Sequence, residues 1–271
     1  MTVPKLACCN FLTPTRVLKE FALDHGFDGV DWTIHLDDFS DSTAAERDLI
    51  AAVRMLRPLE VRFHCFFEGL EVGDRDVHAA NRARQVLRRV CNLIQRAGGR
   101  VMTLHVGLGR ETTAGVCWDS TVAGLRNLAE HARAKGIRVC LENLAWEWTG
   151  RPALYEKLIR KTGCWATLDI GHAAVCGSIA SHQFAIEDFI SPHPERIINA
   201  HVYHLETELG HTPPDDPTDL HQRLDLLLSL PMCDWWVLEL REEQDLLKAL
   251  HAVRDYLSLN AVFPKSGHAF V

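Results

Sequence analysis

The chain has 271 residues, 47% of them hydrophobic and 24% charged, with 36 acidic against 29 basic side chains and a formal net charge of −7. A chain of this length buries roughly 75% of its unfolded surface and needs no staples. Its acidic balance argues against nucleic-acid binding, which depends on a basic footprint, and no run reaches the ~18 apolar residues of a membrane span.

In chain order, apolar β-rich runs alternate with amphipathic helical stretches. Residues 5–10 give a first strand, followed by a helix from Pro14, a residue suited to a helix start. GFDGVDWT is the second strand and TAAERDLIAAVRML its helix; LEVRFHCF is the third, followed by a long helix over 77–97 that stops at Gly98-Gly99. RVMTLHVG is the fourth strand, with a helix over 120–135, and IRVCLEN the fifth, with a helix over 152–161. CWATLDIG is the sixth strand, and irregular and helical sequence follows it to Ile190. RIINAHVYH is the seventh, ahead of a Pro- and Asp-rich loop, TPPDDPTD, and a helix over 220–228. DWWVLEL is the eighth, with a last helix over 242–257; 258–271 reads as a terminal extension. Eight serial βα units with near-continuous apolar strands imply a parallel sheet covered by helices. At this length the expectation is a single-domain (β/α)8 TIM barrel over 1–271. An open doubly wound sheet wants a Gly-rich turn after its first strand, and CCNFLTP has no glycine.

Barrel enzymes build their sites at the C-terminal strand ends. Here those ends carry His64, His105, Glu142, Asp169, His201 and Glu239. A charge or imidazole inside an apolar run is costly to bury without a partner, so six of them imply one convergent polar site. Glu142, Asp169, His201 and Glu239, at strands five to eight, form a mixed carboxylate and imidazole set. Such a set suits Zn, Mn, Fe or Co better than Mg or Ca; Zn comes first here, with Mn or Co as alternatives. Asp169 and His172 form a D-x-x-H pair, in which His172 binds a second ion or a metal-bound water, unless Asp169 is simply a helix cap. His64 and His105 suit a second metal bridged by Glu142, or substrate contact, or burial as neutral core histidines. Trp32, Trp118, Trp146 and Trp148 follow strands two, four and five, where aromatic rings suit the face of a substrate or simply pack the loops. Of these Trp32, Trp146 and Trp148 are the substrate-binding candidates. His204, His211, Asp215 and Asp216 follow strand seven in a register that supports no assignment. Nine cysteines without a CxxC pair read as core filler in a reducing cytoplasm, and the N-terminus lacks a signal-peptide core. Arg82, Arg84, Arg88 and Arg89 read as the wet face of a helix. The oligomeric state is open.

From GFDGVDW to WWVLEL, through LEN, LDIGHA, AHVYH and LEL, the chain resembles the xylose-isomerase-like barrel superfamily. That group contains sugar isomerases and epimerases, inosose dehydratases and abasic-site endonucleases of the endonuclease IV type. The resemblance implies that Glu142, Asp169, His201 and Glu239 ligate one divalent metal. The group's sugar epimerases follow the strand-seven His with an Asp and then a substrate-gripping Arg, whereas HVYHLETELGH has no Arg. RFHCFF, TLHVG, LEN, LDIGHAA and AHVYH resemble the endonuclease-type set, although the Asp and His completing its third zinc are out of register. The resulting expectation is a metal-dependent hydrolase of a small-molecule phosphoester, with the nucleotide loop of a cobamide as a specific candidate. Glu142, Glu239 and His172 are its catalytic residues, with His64, His105 and His172 as second-site metal ligands. The alternatives are a metal-dependent sugar isomerase or epimerase, an abasic-site endonuclease, and an inactive ligand-binding barrel.

Overall fold

The computed structural model describes residues 3–36, 43–107 and 112–262. Eight strands run parallel around a closed barrel: β1 (Lys5–Cys9), β2 (Gly29–His35), β3 (Glu60–Phe66), β4 (Val101–Leu104), β5 (Arg138–Glu142), β6 (Trp165–Asp169), β7 (Ile197–Val202) and β10 (Trp235–Leu238), with β10 closing onto β1. The helices are α1 (Thr15–Asp24), α2 (Thr43–Met55), α3 (Val77–Ala97), α4 (Trp118–Arg133), α5 (Pro152–Thr162), α6 (Ile170–Val175), α7 (Gly177–Ala180), α8 (His221–Ser229) and α9 (Glu243–Val262). Each strand is thus followed by helical structure before the next, the (β/α)8 order read from the sequence. The chain also forms a two-stranded antiparallel hairpin, β8 (Leu205–Thr207) and β9 (Gly210–Thr212). It was read from sequence as loop, because runs of three residues carry no periodicity.

The main core lies between barrel and helices, where the outward strand residues meet the apolar stripes of α3, α4, α5 and α9. The long α3 starts where Asp76 accepts a hydrogen bond from the His78 amide at 2.9 Å and ends at Gly98 in the left-handed region, φ 90°. The last helix continues to Val262, five residues into the span read as an extension; residues 263–271 lie outside the described residues.

Side chains alternate along a strand, so the barrel interior takes every second residue. Its closed end is plugged by Trp235, with the Arg62 guanidinium 4.6 Å from the ring centroid. Arg62 also donates to the Ile198 carbonyl at 3.1 Å, to Asn199 and to Asp234. Above it Thr103 and Thr167 share a hydrogen bond of 2.7 Å, and the Asn199 amide donates to both. These buried polar groups satisfy one another, as an apolar surrounding demands. Room for Trp235 comes from Gly29: a Cβ there would meet the Trp235 Cη2 and the Glu60 carbonyl oxygen, each at 2.3 Å. Two residues further along their strands, the same interior positions carry Asp31, His64, Glu142, Asp169 and His201, and Glu239 lies four residues beyond Trp235.

Gly29→Val is therefore expected to overpack the barrel and cost about 1–3 kcal/mol. Thermal denaturation should show it as a lowered Tm; an unchanged Tm would contradict the close approach.

Candidate metal centre

His201 is the hub of the mouth and is fully buried. Its Nδ1 lies 2.9 Å from Glu239 Oε2, 3.2 Å from Glu142 Oε1 and 3.8 Å from Asp169 Oδ2. Strand pairing dictates this meeting: His201 of β7 sits beside Asp169 of β6 and Val237 of β10 in register. Glu239 follows β10 by one residue, and its amide reaches the Val202 carbonyl. The four sequence-chosen residues thus offer one ligand atom each within 4.8 Å of one another.

Neighbours hold these ligands in place. Asn143 clamps the ends of β5 and β6 together: its amide donates to the Asp169 carbonyl and its oxygen accepts from the Asp169 amide, both at 2.8 Å. Asp169 also caps α6 by accepting from the His172 amide at 2.6 Å, so the cap and ligand readings of D-x-x-H coexist. Tyr203 donates to Asp169 Oδ2 at 3.0 Å. His172 Nδ1 faces the Asn143 carbonyl at 3.1 Å and Asp169 Oδ2 at 3.2 Å. Its Nε2 lies 4.0 Å from Glu206 Oε2.

His64 and His105 join the same cluster, their Nε2 atoms 3.1 Å apart and 3.4 and 3.2 Å from Glu142 Oε2. Together with Glu142 they form a second potential ligand group. A third consists of His172, Glu206 and His211. His211 comes from β9 opposite Glu206 of β8, and its Nε2 lies 3.0 Å from Glu206 Oε2. The His211 Nδ1 donates to the Glu239 carbonyl at 2.7 Å, and the ring stacks on Tyr203 at 3.8 Å.

Asp31 is the acid the sequence reading overlooked. It is buried as the third residue of β2, 3.8 Å from His64 Nδ1. Its signal was present: a carboxylate inside the apolar run GVDW. Glu206 was missed because only the hairpin register brings it to His172. Trp146 stands edge-on to His172, ring centroids 5.7 Å apart. Trp148 packs against Trp118 at 5.1 Å, and Trp32, on the strand position after the inward Asp31, packs against the main core. His204 is bonded by Arg223, Asp215 faces Lys248 and Asp216 caps a turn at Thr218, so none of these three belongs to the cluster.

The electrostatics follow from burial against mutual pairing. Burial alone would raise the Glu142 pKa; the imidazoles of His201 and His105 outweigh it and hold the carboxyl well below its ordinary range. Glu239 is held low in the same way, chiefly by His201. Burial would lower His201, but Glu142 and Glu239 push it well above 6.5. His64 is raised against burial by Glu239 and Glu142, whereas burial wins at His105 and lowers it. Burial lifts Asp169 to about 6, with Glu142 adding to the rise. For His211, burial is outweighed by Glu206 and Glu239, which raise it to about 9.

A divalent ion fits this arrangement. Both ring nitrogens of His201 and the Oε2 of Glu239 are buried without a hydrogen bond, although charge contacts surround them. The atoms converge without the angles of hydrogen bonding, as ligands of a common centre do. A buried polar group left unbonded is costly, and a cation removes that cost. The donors, nitrogen mixed with carboxylate oxygen, suit Zn, Mn or Co.

The family model described as xylose isomerase-like TIM barrel matches residues 20–257. Among solved structures, a D-tagatose 3-epimerase-like protein superposes with TM-score 0.74 at 17% identity, covering 95% of this chain and 98% of its own. An L-ribulose 3-epimerase gives 0.69 at 18% identity, covering 98% and 100%. D-allulose 3-epimerase from Methylomonas sp., in complex with D-allulose, gives 0.71 at 14%, covering 94% and 98%. The protein MJ0008 of Methanocaldococcus jannaschii is 26% identical over 169 residues, 62% of this chain and 72% of that protein.

With His201 held as an imidazolium in the metal-free state, ion binding at pH 7 is expected to release about one proton or more, because a ligating nitrogen must be deprotonated. Calorimetric titration of chelator-treated protein with Mn2+ or Zn2+, in buffers of different ionisation heat, reads that number directly. Glu142→Ala should abolish retention of the ion through gel filtration; a variant that keeps its metal would sink the ligand set.

Proposed function

The chain belongs to the xylose isomerase-like TIM barrel family, and from that premise we propose that it is a divalent-metal-dependent isomerase or epimerase of a small sugar. This corrects the phosphoester-hydrolase expectation and its cobamide version. Similar solved structures include a D-tagatose 3-epimerase-like protein, D-allulose and L-ribulose 3-epimerases and a 3-keto-D-glucoside 4-epimerase. Beside the candidate metal centre an open cavity of ≈ 380 Å³, lined in part by Thr33, His64, Phe66, His211, Glu239 and Arg241, has room for a monosaccharide.

The observation that carries the reading is the pair of carboxylates, Glu142 and Glu239, meeting at one atom, His201 Nδ1, from 3.2 and 2.9 Å. Both are held as carboxylates by the imidazoles around them, and a cation shared with those imidazoles would leave them free to exchange a proton with substrate. Glu142, Asp169, His201 and Glu239 would hold the ion. When bound, the ion supplies positive charge that polarises a carbonyl and stabilises negative charge developing on its oxygen. One carboxylate takes the proton from the carbon beside the carbonyl. That group, now a carboxylic acid, returns the proton to the neighbouring carbon for isomerisation; for epimerisation the opposite carboxyl first takes a proton from solvent and delivers it to the other face, while the first group loses its own to solvent. Glu239 lines the cavity, while Glu142 is 1% exposed and steadied by His105. His172 would contact a substrate hydroxyl, and Trp146 beside it offers an apolar ring face. His64 and His105 serve as substrate contacts if one ion is bound and as ligands if a second joins it.

We place the protein in a reducing cytoplasm, which its nine free cysteines, eight of them buried, support. No helix among the described residues is long and apolar enough to cross a membrane.

Incubation of ketohexoses and ketopentoses with manganese-loaded protein in D2O is expected to wash deuterium into a carbon adjacent to the carbonyl. Glu239→Gln should lower kcat by roughly 10²–10⁴-fold. A panel of such sugars showing no exchange under Mn, Co or Zn would defeat the assignment. Elemental mass spectrometry is expected to find one ion per chain; two or more would make His64 and His105 ligands.

A further inference from the structure

At the end of the barrel opposite the metal centre, where β5, β6 and β7 begin, a cleft of ≈ 320 Å³ opens. Three guanidinium groups line it: Arg133 from the last turn of α4, Arg138 at the first position of β5, and Arg196 just before β7. No carboxylate lines it. Among the described residues, Arg196 has only Glu195, at 4.0 Å, while Arg133 and Arg138 have no carboxylate within that distance. Arg138 and Arg196 both rest on one indole, their guanidinium carbons 4.8 and 5.3 Å from the Trp165 centroid. The two charges therefore lie within about 10 Å of each other.

This is an unusual use of charge in a chain with seven more acids than bases. Like charges at such spacing repel, and a neighbouring carboxylate would relieve them. The indole does something different: cation–π contact orients two guanidinium forks without neutralising either. An Arg fork matches a phosphate or carboxylate oxygen pair in two parallel hydrogen bonds. The walls stay open, since Gly136 and Gly163 have nothing within 4 Å of where a Cβ would sit. The concavity has the size of a small-molecule site.

We propose that this cleft is a second ligand site, for a small, multiply charged oxyanion of the phosphate class, separate from the metal centre. The site stands on its own residues and does not depend on the sugar reading of the mouth.

Pyrophosphate is the probe. Titrated calorimetrically into chelator-treated protein, it should bind saturably and more weakly as salt is added. Arg133→Gln/Arg138→Gln should weaken binding by at least about tenfold, with Tm and metal content unchanged. The control Arg82→Gln/Arg88→Gln, two exposed arginines on α3, should bind as the wild type does. No saturable binding up to roughly 10 mM, equal binding by the cleft variant, or binding that requires the metal would each overturn the proposal. If the metal-free protein does not stay folded, the same comparison of wild type and variants is made on metal-loaded protein.

Discussion

Everything at the mouth of this barrel follows from one electrostatic requirement. His201 is buried without solvent, and three carboxylates stand within 4 Å of a single nitrogen of its ring. Three like charges so placed repel one another strongly in a poorly screening interior, so positive charge must sit among them. A proton on His201 supplies one unit; a divalent ion supplies two and also takes up the lone pairs that hydrogen bonding leaves unused. The carboxylates are low in pKa and the imidazole high for the same reason, seen from opposite sides. A proton and a divalent ion would thus answer the same electrostatic demand at this point of the fold.

The arrangement rests on the layers beneath. The Thr103, Thr167 and Asn199 network sits under the acids and spends its own hydrogen bonds internally. It asks nothing of Glu142 or Asp169. Lower still, Arg62 and Trp235 close the barrel floor, with Gly29 yielding the space. Above, Asn143 locks two strand ends together and Tyr203 fixes one Asp169 oxygen. The ligand positions are therefore set by strand register and by side chains that are themselves satisfied, which is what a precise site requires.

The barrel and the four residues that meet at its mouth were legible because each of them breaks an apolar strand run, and such a break has an energetic reason. Asp31 breaks its run in the same way and was overlooked: GFDGVDWT carries a second acid and two glycines, which make it read as a polar edge. The Glu206 and His211 pairing was illegible for a different reason. It depends on cross-strand register in a hairpin of three-residue strands, and neither strand is long enough to announce itself. Trp32 illustrates the limit of arguing by proximity in sequence. It follows an inward acid, yet alternation turns it to the outer face. Function was harder still, since the His64, His105 and His172 imidazoles fit a hydrolytic cluster and a sugar site equally well.

The missing strand-seven arginine then takes on meaning. In its place the hairpin presents Glu206 and His211, and of the side chains lining the mouth cavity Arg241 is the single Lys or Arg. Carboxylates and imidazoles recognise hydroxyl groups well, accepting and donating in turn, but they repel a phosphate unless the metal compensates. The opposite end of the barrel has the reverse character, three arginines and no lining acid. The two ends of one barrel thus differ in the sign of the charge they present, because the interior strand positions carry acids at one end and the loops at the other carry arginines.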